Sequence, residues 1–169
     1  SKKFNLHIIE DAAQSILSTY NGKYIGNQSN LACFSMHPTK NLGVLGDGGF
    51  ISTNNTKLFK KLKMLRNHGL ENGSSVLIGR NSRLSEINAL VATIRLNFLK
   101  KDTLLKQKIA KFYSQNLSSS VIVPNNSCCR SNSHTYHRYV IRAPKRNELV
   151  KYLYNKGIEV KVHYPKSIQ

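Results

Sequence analysis

Leu6-His7-Ile8-Ile9-Glu10-Asp11, residues 6–11, is the stretch from which the fold of this chain can be worked out. Its short apolar run is typical of a buried β-strand, and two carboxylates close the run. Residues 31–36 predict a second apolar strand, and residues 50–53 predict a third. Proteins with parallel sheets bind ligands at the carboxyl ends of their strands, so Asp11 stands where a ligand would lie.

Helical periodicity alternates with these strands. Apolar residues at a spacing of three or four predict helices over residues 55–66, from about 82 to 99, over 102–117 and over 148–156. Gly69 and Gly157 follow the first and the last of these helices as stop signals. Two further strands are expected at residues 139–142 and 158–164. The alternation predicts an α/β fold.

A serine run at residues 118–120 interrupts the helical pattern after Leu117. Such a break is typical of a boundary, because serine clusters favour loops over helices. We therefore predict two units, residues 1–117 and residues 118–169.

The chain is strongly basic. Its 26 lysines and arginines against 8 acidic residues give a net charge of +18. Such a charge is typical of nucleic-acid-binding proteins. The positive residues are spread along the chain, however, and there is no Arg-rich tract, zinc-finger spacing or aromatic stacking pattern. A basic solvated surface is favoured, nucleic acid is not expected as a partner, and a non-catalytic basic binding module stays the alternative.

Cysteine use and hydropathy restrict the cellular setting. No stretch approaches the roughly 18 apolar residues of a membrane span, so no membrane partner is expected. The 3 cysteines do not make a disulfide framework, which favours a reducing, cytoplasmic compartment. Cys33 lies among apolar residues and is expected in the core. Cys128-Cys129 with His134 and His137 is a weak metal candidate, because adjacent cysteines rarely hold one zinc ion, and no metal is predicted.

Four polar residues remain around the predicted sheet edge: Asp11, Gln14, Ser35 and Lys40. The glycine-rich loop at residues 43–49 has neither the dinucleotide-binding spacing nor the P-loop spacing, and is interpreted as a turn. A partly desolvated lysine at such an edge can form a Schiff base. Spacing alone leaves Lys40 as one lysine among many.

A series of ordered motifs resembles those of the DegT/StrS-type sugar aminotransferases. These motifs occupy residues 8–14, 33–43, 46–49, 64–69, 79–86, 136–142 and 162–165. The resemblance covers nearly the whole chain. It implies the aspartate-aminotransferase-like fold of pyridoxal-phosphate (PLP) enzymes, fold type I. Residues 1–117 would then be the second half of the large domain with its connecting helices, and residues 118–169 an incomplete small domain.

The resemblance also implies a role for each polar residue at the edge. Lys40 would form the Schiff base with pyridoxal 5'-phosphate and carry the proton in transamination. Asp11 would pair with the pyridinium nitrogen and keep the ring protonated. Gln14 would lie against the ring, and Ser35 would donate to the phosphate.

Residues farther along the chain acquire implied roles as well. Asn81 would reach the phosphate of the neighbouring subunit's PLP, which implies a homodimer with shared active sites. Arg83 would support that loop or form a structural ion pair. His163 and Tyr164 would line the sugar side.

The activity implied by the resemblance is transfer of an amino group from an amino acid, expected to be glutamate, to a nucleotide-linked keto-sugar. Some relatives carry histidine at the position of Lys40 and perform dehydration, so the lysine favours transamination. Members of the family are longer than this chain, and the turn that binds the PLP phosphate would precede Ser1. The chain thus resembles an internal fragment, and we expect residues 1–169 alone to be inactive.

Overall fold

A computed structural model describes residues 2–124 and 131–168. After a short 3-10 helix at Lys2–Phe4, its elements are, in chain order, β1 (Ile9–Asp11), β2 (Thr19–Tyr20), β3 (Lys23–Tyr24), β4 (Leu31–Ser35), β5 (Gly49–Ser52), α1 (Thr56–Leu65), β6 (Leu70–Glu71), β7 (Ser74–Ser75), α2 (Glu86–Asn116) and α3 (Arg146–Asn155). The molecule is therefore a mixed α/β structure, in agreement with the predicted class.

The central sheet has three strands in the order β1-β4-β5. Strand β1 runs parallel to β4, with Asp11 opposite Cys33. Strand β5 is antiparallel to β4, with Ser35 opposite Gly49. Because β1 and β4 are parallel, the carboxyl ends of both strands lie at one edge of the sheet. That edge carries Asp11 and Ser35.

The first strand differs from its prediction. Residues 6–11 were expected to form a buried strand, but β1 covers only Ile9–Asp11. The Ile9 residue is 64% exposed and Leu6 is 63% exposed. The reason is position: β1 is the edge of the sheet and pairs with β4 alone.

Helix α1 confirms its prediction and shows how local chemistry sets its ends. The Asn55 side chain accepts hydrogen bonds from the backbone amides of Lys57 and Leu58, at 2.9 and 3.1 Å. This is the usual N-cap arrangement. After the other end, Gly69 has a φ of +71°, a left-handed backbone conformation that glycine adopts without strain.

The long helix α2 replaces two predicted helices. It runs for 31 residues without a break, and Ser85 caps its start by accepting from the Asn88 amide at 3.3 Å. The residues at the expected break, Lys100 to Asp102, include neither glycine nor proline, so nothing in the sequence interrupts the helix there. In the described part of the chain, no helix is long and apolar enough to cross a membrane.

The two strands predicted for the last third of the chain are wrong. Within residues 131–168 the structure has the helix α3 and no strand. One isolated bridge joins Ile122 to Arg142. An apolar run becomes a strand only where a partner strand lies beside it, and the described residues provide none for 158–164. Helix α3 itself confirms its prediction, and Gly157 ends it with a φ of +74°.

The core lies between the loop that follows β4 and one face of α2. Met36, Leu42 and Val44 from the loop pack with Ala92 and Leu99 from the helix, and all five are buried. This packing fixes the segment that carries Lys40 against the long helix. The hydrophobic core thus positions the candidate site directly.

Candidate active site

Asp11 is held at the point where the chain leaves β1. Its Oδ1 accepts a hydrogen bond from the Ala13 amide at 3.1 Å. The Ala12 amide donates to the Cys33 carbonyl at 2.8 Å, which continues the pairing with β4 by one step. The Asp11 side chain is exposed. It forms no ion pair with any described residue, so its charge is available to a ligand.

The neighbouring carboxylate has a structural role instead. Glu10 Oε2 accepts from the Gly26 amide at 3.0 Å, and this bond ties β1 to the turn after β3. The other oxygen, Oε1, is buried and has no hydrogen-bond partner among the described residues. Of the two carboxylates that close the first apolar run, Asp11 is the one exposed at the sheet edge.

The loop after β4 presents Lys40. The Ser35 hydroxyl accepts from the His37 amide at 3.3 Å, and the Lys40 amide donates to the His37 carbonyl at 2.8 Å. These bonds close a tight turn in which Lys40 is half-buried. Gly43 is required there, because a Cβ at that position would collide with the Pro38 carbonyl. The loop therefore holds the lysine next to the carboxyl end of β4.

One distant threonine joins the two segments of the site. Thr135 is completely buried, and its carbonyl accepts from Asn41 Nδ2 at 3.2 Å. Its hydroxyl lies 3.5 Å from the Gln14 carbonyl and 3.3 Å from the Ser18 hydroxyl. Segment 11–14 and the Lys40 loop thus meet at one residue far along the chain. Sequence reasoning missed Thr135, because a single threonine carries no pattern.

His137 is a half-buried histidine in the last third of the chain. Both ring nitrogens of His137 are buried without a hydrogen-bond partner among the described residues. Burial lowers the pKa of His137 to about 4, and the charges of Lys40, Arg138, Lys106 and His163 lower it as well. The imidazole is therefore neutral near pH 7. Sequence reasoning assigned His137 no role beyond a weak metal candidate.

Lys106 on α2 supports the Lys40 loop from the opposite side. Its Nζ donates to Asn41 Oδ1 at 2.8 Å. Burial lowers the pKa of Lys106, while the charge of Asp102 raises it and that of Arg95 lowers it. Asn41 thus bridges the helix and Thr135 through its two amide atoms.

Asn81 and Tyr164 are not joined to this cluster. Asn81 forms an isolated bridge with Asn67 after α1, and its Oδ1 accepts from Arg83 Nε at 3.2 Å. No hydrogen bond between described residues links Asn81 to Asp11 or Lys40. Tyr164 is 79% exposed. The β1–β4 pairing and the hydrogen bonds through Thr135 and Asn41 therefore link the segments that carry Asp11, Gln14, Ser35 and Lys40.

The cysteine and metal predictions have separate outcomes. Cys33 is a free, half-buried thiol inside β4. Cys128 and Cys129 lie outside the residues that the structure describes. In the ranges 2–124 and 131–168, no three His, Cys, Asp or Glu side chains are grouped so as to hold a metal ion.

The model of one protein family matches the whole chain. That family is described as the DegT/DnrJ/EryC1/StrS aminotransferase family, and the match covers residues 1–169. The chain belongs to this family.

Individual relatives agree with the family match. The chain is 37% identical to the dTDP-3-amino-3,4,6-trideoxy-alpha-D-glucose transaminase of Streptomyces venezuelae, over 96% of this chain and 43% of that protein. The crystal structure of S. venezuelae DesV in complex with a ketimine intermediate superposes with a TM-score of 0.93 at 36% identity, over 99% of this chain and 45% of that chain. NtdA from Bacillus subtilis with bound cofactor PMP gives a TM-score of 0.84 at 27% identity, over 98% of this chain and 39% of that chain.

These likenesses cover nearly the whole of this chain and less than half of each relative. The aminotransferase fold is therefore shown for the part that the chain contains. The chain spans about half the length of the proteins it matches.

Proposed function

We propose that this protein is a PLP-dependent transaminase that moves an amino group from an amino acid, expected to be glutamate, to a nucleotide-linked keto-sugar. One observation supports the proposal: β1 and β4 run parallel, so Asp11 and Ser35 stand at the carboxyl ends of neighbouring strands, and the loop with Lys40 follows β4 directly. A free carboxylate, a hydroxyl and an amine are the groups that a pyridine nitrogen, a phosphate and an aldehyde require. The residues present thus fit PLP.

When bound, PLP supplies an electron-withdrawing ring that makes the proton on the substrate carbon acidic. Asp11 would hold the proton on the ring nitrogen, because its carboxylate has no competing cation among the described residues. Lys40 would hold the aldehyde carbon and then move the proton as a general base. Ser35 would orient the phosphate, and Gln14 would lie against the ring.

The environment of Lys40 supports this role. The ring nitrogens of His137 are buried and its pKa is lowered to about 4, so the imidazole adds no positive charge that would repel a substrate amine. The loop bonds at Asn41 fix the backbone next to the lysine from two sides. A lysine on a fixed, half-buried loop loses less entropy on meeting its target than one on a mobile surface.

The sugar side and the second subunit are proposed from His163, Tyr164 and Asn81. His163 is exposed, and its charge lowers the pKa of His137, as the charge of Lys40 also does. Tyr164 follows it and would extend the sugar contact. Asn81, exposed and held by Arg83, would reach the phosphate of a partner subunit's PLP in a homodimer. The support for Asn81 is its place in the family motif and its exposure.

We further propose that residues 1–169 alone are inactive. The relatives named above are about twice as long as this chain, and the chain matches less than half of each of them. The predicted units 1–117 and 118–169 stay a proposal, with α2 ending at Asn116 as their support. A cytoplasmic setting is proposed from the cysteine use.

Covalent trapping tests the proposal. The full gene product should be incubated with PLP and reduced with borohydride, and the modified residue identified by mass spectrometry. We expect the adduct on Lys40, and its loss in Lys40→Ala but not in Lys57→Ala, an exposed lysine at the start of α1. An adduct of equal yield on another lysine in Lys40→Ala contradicts the assignment. DNA binding that weakens steeply with salt, without any adduct, favours the basic binding module.

A further inference from the structure

Helix α1 carries a dense group of positive charges on its outer side. One side of the helix contains three half-buried leucines, Leu58, Leu62 and Leu65. The rest of its circumference carries four exposed lysines: Lys57, Lys60, Lys61 and Lys63. The helix itself contains no acidic residue. These four lysines form the basic face of α1.

The basic face of α1 has no internal partner. The ion pairs between described residues join Lys145 to Glu148 and Lys161 to Glu159, so none of them involves α1. The side-chain nitrogens of the four lysines form no hydrogen bond with any described residue. The four charges are therefore available to a partner.

This arrangement is unfavourable for the helix by itself. Lys57 and Lys61 are four residues apart, and Lys60 lies three residues from both Lys57 and Lys63. Like charges at these spacings repel each other on a helix surface. Lys57 also lies in the first turn, where the helix dipole disfavours a cation. The start of α3, in contrast, sets a lysine against a glutamate at such a spacing. An anionic partner would relieve the repulsion on α1.

Exposed apolar side chains beside the basic face indicate the kind of partner. Phe59 is 57% exposed and lies four residues before Lys63, so the two side chains are neighbours on the helix surface. Ile78 is 97% exposed, and two residues later the Arg80 amide donates to the Leu65 carbonyl at 2.7 Å, at the end of α1. An aromatic ring among lysines is typical of a membrane-surface helix, because the ring enters the lipid boundary while the ammonium groups meet the headgroups.

Nucleic acid matches these side chains less well. Directed recognition of a phosphate favours arginine, which binds two oxygens at once, whereas the basic face consists of lysines. Proteins that bind single strands stack successive bases on several aromatic residues, and Phe59 is the single aromatic residue of α1. Lysines act as point charges, and an extended layer of anionic headgroups requires nothing more.

We propose that α1 is a docking surface for an anionic lipid membrane, with its basic face against the headgroups and the Phe59 ring at the lipid boundary. A helix that lies on a membrane needs no spanning segment. The inference goes beyond the proposed function, because it requires neither PLP nor a nucleotide-linked sugar.

Co-sedimentation of the full gene product with lipid vesicles tests the proposal. One set of vesicles contains phosphatidylcholine alone, and in the other about a third of the lipid is phosphatidylglycerol. Binding to the anionic vesicles should be at least about tenfold tighter, and it should weaken as added salt screens the charges. Equal binding to the two sets, or no binding to the anionic one, overturns the proposal.

Matched variants locate the binding. Replacing all four lysines of the basic face by glutamine should weaken binding to the anionic vesicles more than about a hundredfold, since each lysine near such a surface contributes roughly a factor of five. Glutamine has nearly the helix propensity of lysine, so α1 should persist. The control replaces four exposed lysines of α2 by glutamine: Lys100, Lys101, Lys108 and Lys111. It removes the same charge and should weaken binding less than about tenfold, because screened charges away from the surface contribute little. Equal losses in the two variants indicate diffuse attraction and overturn the docking surface.

Phe59→Ala and a DNA probe distinguish a membrane from a nucleic acid. Phe59→Ala should weaken binding to the anionic vesicles about threefold to tenfold, because an apolar ring is lost from the lipid boundary. Unchanged vesicle binding in this variant overturns the proposed seating of α1. Mixed-sequence duplex DNA that binds more tightly than the anionic vesicles, and loses as much in the fourfold α1 variant, assigns the basic face to nucleic acid and overturns the proposal. PLP trapping on Lys40 is measured independently of these experiments.

Discussion

The two faces of α2 contain similar apolar residues in opposite environments. On the inner face, Leu99 is 4% exposed and packs against the Lys40 loop. On the outer face, the adjacent Phe98 is 55% exposed and Ile94 is 52% exposed. The inner face is completed by contacts to residues far away in the sequence. The outer face meets no described element of this chain.

The difference shows what apolar periodicity can and cannot reveal. The sequence predicts a continuous apolar face on this helix, and residues such as Ile87, Leu90 and Ile94 form it. Those residues are exposed, and the buried positions are Ala92, Leu99, Thr103 and Ala110. A helix that is apolar on several sides is typical of one surrounded by other structure.

The largest expected effect is on packing, and it tests the two faces directly. Leu99→Ala should lower the free energy of unfolding by about 2–5 kcal/mol, because it leaves a cavity beside the Lys40 loop. Phe98→Ala should change it by about 0.5 kcal/mol or less in the same chain, as expected at an exposed site. Urea denaturation measures both. An equally large loss in Phe98→Ala shows that the outer face is covered in the protein as it exists.

The next largest effect is expected on turnover, at the sheet edge that carries Asp11. Asp11→Asn should retain PLP but lose at least the equivalent of about 1.5–3 kcal/mol in transition-state stabilisation, roughly tenfold to 150-fold in rate. The amide cannot hold the ring nitrogen protonated. Asp47→Asn, an exposed aspartate in the glycine-rich loop, is the control. Steady-state kinetics with a nucleotide-linked keto-sugar decide, and near-normal turnover removes Asp11 from the mechanism.

Breaking the hydrogen bonds at Thr135 should lower the free energy of unfolding by less than Leu99→Ala does. Thr135→Val keeps the volume but removes the hydroxyl partner of Ser18, so the free energy of unfolding should fall by about 1–3 kcal/mol. Thr93→Val removes an exposed hydroxyl from α2 and is the control. Equal midpoints of urea unfolding for the two variants would mean that the junction at Thr135 does not stabilise the site.

The pH dependence of stability tests the buried ring nitrogens of His137. Because burial lowers the pKa of His137 to about 4, the unfolded chain binds a proton more readily, and the stability should fall as the pH drops from about 6.5 to 4. His137→Gln should reduce this slope, and the exposed His68→Gln should not. Burial also lowers the pKa of His134, so part of the slope should persist. An unchanged slope in His137→Gln would show that the lowered pKa of His137 does not cause the pH dependence.

The smallest effect is expected where contacts are local and exposed. At the start of α3, Lys145 Nζ and Glu148 Oε2 lie 3.3 Å apart, with side chains 78% and 72% exposed. Such pairs contribute little because water screens them, so Glu148→Gln should change stability by about 0.5 kcal/mol or less. Thermal unfolding measures this, and a loss above about 1 kcal/mol would show that α3 packs against something more.

The amino-acid sequence alone determined those features that depend on near neighbours. The Asn55 cap and the Gly69 stop define α1, and Gly157 ends α3, because capping and left-handed turns are decided within a few residues. Strands β4 and β5 follow from their apolar runs. The resemblance of the segments around Asp11 and Lys40 to the family was also visible in the sequence, and the family match over residues 1–169 confirms it.

Tertiary structure alone decided the exposure of β1, the absence of strands in residues 158–164 and the junction at Thr135. It also decided that the buried positions of α2 are Ala92, Leu99, Thr103 and Ala110. The physical reason is that burial and strand pairing depend on partners more than a hundred residues away in some cases. Periodicity records that a residue is apolar, and only the packed structure supplies the surface that covers it.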